Sequence, residues 1–152
     1  LQRLRQAVPD IAVTSDIIVG FPGESEEDFE ATLDIVRRAR FDMIYSFIYS
    51  RRKSTPADKM EGQVPAAVKS ARFDRLLQLQ NEISREQNQR LVGDTLKVLA
   101  EGESKNNAEI YTGRTDAGKI VHFEAPAGTA GSFVKVKINR AEAYALYGEM
   151  VK

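Results

Sequence analysis

The stretch Asp16–Ser25, "DIIVGFPGES", runs from β-branched apolar residues into a turn holding Gly20, Pro22 and Gly23, and from there into an acidic segment. Ile11 to Val19 is apolar enough for a buried strand, and "GFPG" stops it. Ser25 is placed as a helix N-cap, with Asp28 completing a capping box and Glu26 and Glu27 complementing the helix dipole. Phe29, Leu33, Val36 and Arg40, joined by Ile35 and Ala39, then mark one helical face up to a break near Phe41. Met43–Tyr49, "MIYSFIY", has the aromatic and β-branched content of a second strand. A strand, a crossover helix and a second strand make a right-handed βαβ unit of a parallel sheet. Ligands of such sheets sit at the carboxyl ends of the strands, which directs attention to Gly20–Ser25 and Ser50–Pro56.

The turn lacks the lysine of a phosphate-binding loop and offers Glu24 instead. Two readings stand. Either the glycines let the backbone approach a ligand while Glu24 accepts from a cationic or hydroxylated group, or they only shape a tight turn before the cap.

Downstream, an amphipathic run begins at Pro65 and carries Val68, Phe73, Leu76, Leu77, Ile83 and Leu91 to an expected C-cap at Gly93. Gln78, Gln80, Asn81, Arg85, Gln87 and Asn88 crowd its later turns, so the helix is expected to lead from one domain to another. Beyond Gly93 the pattern changes to short strands: Thr95–Glu101, Ala108–Thr112, Ile120–Glu124, Ser132–Asn139 and Ala143–Val151, with "NN", "TDAG" and "PAGTAG" as turns. Five such strands point to a small closed barrel of the oligonucleotide-binding kind. "VKVKI", Val134–Ile138, alternates so that the apolar side chains turn inward and Lys135 and Lys137 outward. Lys97, Arg114, Lys119 and Arg140 are positioned to extend that face, which reads either as a solvated surface or as an RNA contact. His122 reads as a surface residue, with no second ligand nearby to make a metal site.

Composition narrows the function classes. The 152 residues are 42% hydrophobic, enough to bury a core in one ordinary domain or two small ones. Lys plus Arg and Asp plus Glu number 22 each, so a polyanion must be met by a local patch and not by bulk charge. There is no cysteine, hence no disulfide and no thiolate to ligate a metal or an iron–sulfur cluster. No segment has the length of a membrane span and no leader opens the chain, from which a cytoplasmic protein without a membrane partner is expected. Leu1 stands inside a helical pattern with Leu4 and Val8, as in a piece of something longer.

"TSDIIVGFPGESEEDFEATLDIVRRARFDMIYSFIYS" and the stretch from "VPAAVKSARFD" to "GKIVHFE" resemble the C-terminal part of the radical S-adenosylmethionine methylthiotransferases, specifically the MiaB-type tRNA 2-methylthio-N6-dimethylallyladenosine synthases. The resemblance covers nearly the whole chain. It implies an α/β plus β architecture: residues 1–60 as the C-terminal portion of a radical-SAM partial (β/α) barrel, 61–92 as a helical connection, and 93–152 as a TRAM domain, a five-stranded OB-like RNA-binding β-barrel. It further implies S-adenosylmethionine and two 4Fe-4S clusters in the intact enzyme, with tRNA and the upstream domains of the same protein as partners. The cluster cysteines lie upstream in that family, and none is in this chain.

The family's fifth-strand motif, G-x-I-x-G-x-x-E, places its isoleucine at Ile18 and its second glycine at Gly20, while Asp16 and Gly23 depart from it and Glu24 follows one residue late. The resemblance thereby implies Ile18, Gly20 and Glu24 as cofactor-binding residues, with Phe47 and Tyr49 at the end of the next strand. The following loop in the family reads Y-S-P-R-P-G-T-P-A, against "YSRRKSTPA", Tyr49–Ala57, here. Arg52, Thr55 and Pro56 are retained, and the loss of two prolines and a glycine predicts a less constrained loop whose added charge serves an RNA backbone or only solvation. Arg52, Lys97, Arg114, Lys119, Lys135 and Lys137 are the expected RNA-binding residues. Sister families act on threonylcarbamoyl-adenosine in tRNA or on a ribosomal protein. A non-catalytic RNA-binding module is the alternative of a different class.

Overall fold

The computed structural model describes residues 1–104 and 107–151, with residues 107–109 described by backbone alone. It divides into two compact units: Val13–Ile83 with Leu1–Arg3, and Ser84–Lys152 with Leu4–Ala12. A short helix α1, Gln2–Ala7, opens the chain. Among the described residues no helix is long and apolar enough to cross a membrane.

The first unit is built on β1 (Thr14–Val19), α2 (Glu26–Ala39) and β2 (Met43–Ile48). The two strands pair in parallel, with Asp16 opposite Tyr45 and Ile18 opposite Phe47. The helix forms where its cap dictates: Ser25 Oγ accepts from the Asp28 N–H at 3.1 Å and Asp28 Oδ2 accepts from the Ser25 N–H at 2.9 Å. Phe29, Leu33, Val36 and Ala39 are buried and pack with Val19, Phe41, Ile17 and Ile44. Two residues assigned to that face by periodicity do otherwise. Ile35 is 58% exposed, and Arg40 is the C-cap in the left-handed region, its N–H donating to the Val36 carbonyl at 2.9 Å. The helix had to stop before Phe41 could turn back into the core.

A long helix, α3 (Ala66–Gln89), follows. Within the first unit it buries Leu76 and Ile83, together with Arg72 and Gln80, whose amide donates to the Phe41 carbonyl at 2.9 Å. Val68, read as apolar-face, is 38% exposed. The expected C-cap at Gly93 is corrected. The helix ends at Gln89, a turn through Leu91 and Val92 follows, and Gly93 donates instead to the Ile138 carbonyl at 2.8 Å.

The second unit is a closed five-stranded barrel of β3 (Thr95–Ser104), β4 (Asn107–Thr115), β5 (Ile120–Glu124), β6 (Phe133–Ala141) and β7 (Leu146–Val151). The order around it is β3-β4-β5-β7-β6, with β6 closing on β3. β5 and β7 run parallel and the other neighbours antiparallel. This is the small closed five-stranded barrel expected from the strand spacing. The expected boundaries shift by a few residues. β3 and β4 run longer as one irregular ladder with register shifts after Ala100 and Glu103, and residues 143–145 form a turn, closed by the Glu142 N–H on the Ala145 carbonyl, instead of starting β7. The expected turn at Asn106 lies outside the described residues.

Val98, Ala100, Tyr111, Val121, Phe123, Val136, Ile138 and Leu146 fill the interior. β7 can approach β6 only because Gly148 has no side chain: a Cβ there would fall on the Lys137 carbonyl and the Val136 methyl.

Candidate functional site

At the carboxyl ends of β1 and β2, within the first unit, the glycine turn proves to be organised by the chain itself. Gly20 has φ +76°, and a Cβ on it would collide with the stem of Lys69 from α3. Lys69 passes through that gap and its ammonium donates to the Tyr49 carbonyl at 3.0 Å. Glu24 folds back so that Oε2 accepts from the Gly20 N–H at 2.9 Å and from Arg72 Nη1 at 2.8 Å. The side chains of Arg72 and Glu24 are only 7% and 12% exposed. Arg72 also donates to Glu26 and to the Glu24 carbonyl, while Arg75 bridges Glu26 and Glu30. Glu24, read from the sequence as an acceptor for a ligand group, accepts here from Arg72 of the same unit.

These contacts set the local charge states. Hydrogen bonds from Arg75 and then Arg72 hold the Glu26 carboxyl below its ordinary range, and Arg75 is correspondingly raised. Hydrogen bonds from the Ser25 hydroxyl and backbone hold Asp28 below its own.

Ile18 and Phe47 stand side by side on the opposite face of the sheet from α2, 54% and 55% exposed. Tyr45 and Met43 continue that exposed apolar surface. Tyr49 is half-buried, its ring edge-on to Phe21 at 5.2 Å, and its hydroxyl is buried with no hydrogen-bond partner among the described residues. The structure thus sets Ile18, Phe47 and Tyr49 near one strand end, with Gly20 and Glu24 engaged in the turn beside them.

The loop after β2 carries several hydrogen bonds of its own. Arg51 donates to the Asp58 carboxylate and carbonyl at 2.8 and 2.7 Å, and Thr55 caps the Arg52 carbonyl at 2.8 Å. Arg52 is exposed. Ser54 has φ +70°, at the position where the related loop carries glycine.

The second unit presents the other candidate surface. Along β6 the residues alternate as expected: Val136 and Ile138 are buried, while Lys135 and Lys137 are exposed. Lys97 on β3 lies directly opposite Lys135. Across the other edge, Lys137 is opposite Glu149, which accepts from Asn139 at 3.3 Å. Arg114 and Lys119 are committed elsewhere. Arg114 pairs with Glu101 at 3.0 Å, and Lys119 donates to Asn88 Oδ1 at 2.9 Å. The structure therefore brings Lys97, Lys135 and Lys137 together and ties down the other two.

One exposed aromatic was not singled out from the sequence, and one histidine was read too simply. Phe133 is 65% exposed, and Lys97 Nζ lies 4.2 Å from its ring centroid. Its signal was parity, since Phe133 shares the odd register of Lys135 and Lys137 and so belongs outside. His122 is more than a solvated residue: its Nδ1 is 3.1 Å from Thr112 Oγ1 and its ring lies 5.3 Å from Tyr147, over which Arg140 stacks at 3.5 Å. His122, Tyr147, Glu124, Asn139 and Glu149 line a surface concavity of about 520 Å³. That group is assembled from β5, β6 and β7, so no local stretch of sequence shows it. Among the described residues no group of three or more acidic, His or Cys side chains is placed to hold a metal ion.

The barrel coincides with a match to a known domain family over residues 89–151. Residues 89–151 match the TRAM domain family. Over its whole length the chain is a homologue of proteins named tRNA-2-methylthio-N(6)-dimethylallyladenosine synthase. It is 53% identical to that of Acetivibrio thermocellus over 99% of this chain and 31% of that protein. It is 49% identical to that of Bacillus pumilus over 99% of this chain and 30% of that protein. To that of a Thermoanaerobacter species it is 48% identical over 100% of this chain and 32% of that protein. The chain thus spans about 30% of the length of the curated relatives it matches.

Proposed function

We propose that this chain is part of a tRNA methylthiotransferase acting at C2 of N6-dimethylallyladenosine beside the anticodon, in which the TRAM barrel grips the tRNA. In this reading residues 1–60 are the end of a radical-SAM (β/α) barrel, 61–92 its helical connection and 93–152 the RNA-binding barrel. The observation that carries the RNA role is the cluster of Lys97, Lys135 and Lys137 on one outer face, none of them ion-paired among the described residues. Phosphates supply a counter-charge to Lys97 and Lys135, while Lys137 stands opposite Glu149 and adds to the same face.

The parallel pairing of β1 and β2 and the exposed apolar pair Ile18 and Phe47 support the barrel-end reading, because an inward face of a larger barrel is left bare when its other strands are elsewhere. The unpartnered Tyr49 hydroxyl supports a role for that strand end in receiving a polar ligand. Ile18 and Phe47 would lie against S-adenosylmethionine, which supplies the radical and methyl chemistry when bound. Gly20 and Glu24 act behind them by holding the turn. The chain has no cysteine, so its residues do not fit an iron–sulfur cluster, and any cluster is held by other parts of the protein.

The test is tRNA affinity of the chain at several salt concentrations, for the wild type and for a Lys135→Glu, Lys137→Glu double variant, with circular dichroism to confirm folding. Loss of about two phosphate contacts flattens the dependence of log affinity on log salt by roughly 1.4–1.8. The weakening is similar across RNA sequences, since phosphate contacts position and base contacts specify. An unchanged slope in a folded variant removes this face from the RNA contact.

A further inference from the structure

We infer that the Phe133 ring is a stacking platform for one unpaired nucleobase, with Lys97 and Lys135 seating the phosphates on either side of it. The inference deepens the RNA reading of the barrel and rests on it.

Three observations converge on this patch. Phe133 begins β6 on its outer face and is 65% exposed, so its ring contributes nothing to a core whose inward positions are filled by Val136 and Ile138. Left that open, the ring is available to a partner in solution. Next, Lys97 Nζ sits over the ring, 4.2 Å from its centroid, so a charge occupies one face while the residue as a whole stays 65% exposed. Finally, Lys97 and Lys135 are direct cross-strand partners of like sign, an arrangement that weakens a ladder unless an anion lies between them. The carboxylate closest in register on β3, Glu101, is already taken by Arg114.

An exposed ring sharing one outer face with two lysines that have no ion pair among the described residues is the combination that single-stranded nucleic acid requires: base on ring, backbone on cations. A duplex offers no such base, because its π-faces are occupied by neighbouring pairs. An acidic peptide matches the lysines but leaves the ring without a planar partner.

The test uses the whole chain, a short single-stranded RNA carrying 2-aminopurine and a duplex of the same sequence. In the wild type and in Phe133→Tyr, binding quenches the 2-aminopurine fluorescence of the single strand. In Phe133→Leu the quenching is lost and single-strand affinity falls roughly 5- to 150-fold, while duplex affinity and the salt slope of both RNAs stay as in the wild type. The platform is overturned by undiminished single-strand affinity in a folded Phe133→Leu, by an equal loss on duplex, or by polyglutamate competing as well as RNA at the same ionic strength. Should Phe133→Leu not fold, absence of quenching in both the wild type and Phe133→Tyr overturns it equally. If RNA binds with a slope set by the lysines and Phe133→Leu changes nothing, only the platform falls. If neither RNA binds the wild type, the RNA reading of the barrel falls with it.

Discussion

Glu24 accepts a hydrogen bond from the N–H of Gly20, the residue that opens its own turn, at 2.9 Å, and the same carboxylate oxygen accepts from Arg72 at 2.8 Å. One oxygen thereby joins the end of β1 to α3. The N–H groups of Gly20 and Gly23 are thereby engaged within the unit, and the apolar pair Ile18 and Phe47 stands at the strand end beside them.

Arg72 is the group on which this clamp depends. Its side chain is 7% exposed and faces Glu24, itself 12% exposed, so replacing it leaves a carboxylate out of water with only backbone to answer it. Breaking such a pair typically costs about 3–5 kcal/mol. Arg72→Met should lower the stability of the first unit by roughly 3 kcal/mol. Arg72→Lys should recover little, because an ammonium cannot fork to Glu24 and Glu26 together. Urea denaturation followed by circular dichroism reads both, and a loss below about 1 kcal/mol for Arg72→Met would contradict the clamp.

Acid should loosen the same region. Glu26 and Asp28 both have folded-state pKa values held below their ordinary 4.5 and 3.8. A carboxyl that binds its proton less readily when folded stabilises the fold fully above its unfolded pKa and loses that stabilisation as pH falls through the folded one. Unfolding midpoints measured from neutral pH downward should stay level until the ordinary carboxylate range and then drop. Asp28→Asn should flatten part of that drop. A profile identical to the wild type would remove Asp28 from the linkage.

Ser54 occupies the left-handed region at φ +70° in the loop after β2. A residue with a Cβ is strained there by an amount of order 1 kcal/mol, while glycine is not. Ser54→Gly should therefore stabilise the chain by up to about 1 kcal/mol, less than the full strain because glycine also gains entropy in the unfolded state. Thermal unfolding checks it, and a lower melting point would show that the loop holds Ser54 for another reason.

Local signals were legible and assembled ones were not. The Ser25–Asp28 box, the buried stripe from Phe29 to Ala39 and the alternation at Val134–Ile138 are written in consecutive residues, so the elements could be placed before any packing was known. What Glu24 holds was hidden, because its partner stands 48 positions away on α3. The lysine stripe was half visible: parity puts Lys135 and Lys137 outside, but only the β3–β6 register sets Lys97 against Lys135, and only tertiary contacts divert Lys119 to Asn88 and Arg114 to Glu101. His122 and Tyr147 meet because β5 and β7 run parallel, a pairing that no stretch of either strand announces.

The Lys97–Lys135 pair yields the last prediction, in which stability and binding move in opposite directions. Lysines directly opposite each other across a ladder repel, and exchanging one for a carboxylate turns the repulsion into attraction. Lys135→Glu should therefore raise the stability of the barrel by about 0.2–1 kcal/mol. The same change removes one phosphate contact and should lower the salt slope of tRNA binding by roughly 0.7–0.9. Lys135→Gln separates the two effects: it relieves the repulsion and loses the contact without adding a negative charge, so its stability should fall between those of the wild type and Lys135→Glu. Thermal unfolding and tRNA titration on the same three proteins measure both quantities. If Lys135→Glu destabilises the barrel, the facing lysines are not in conflict in the free protein, and the argument that they are kept for an anion loses its energetic basis.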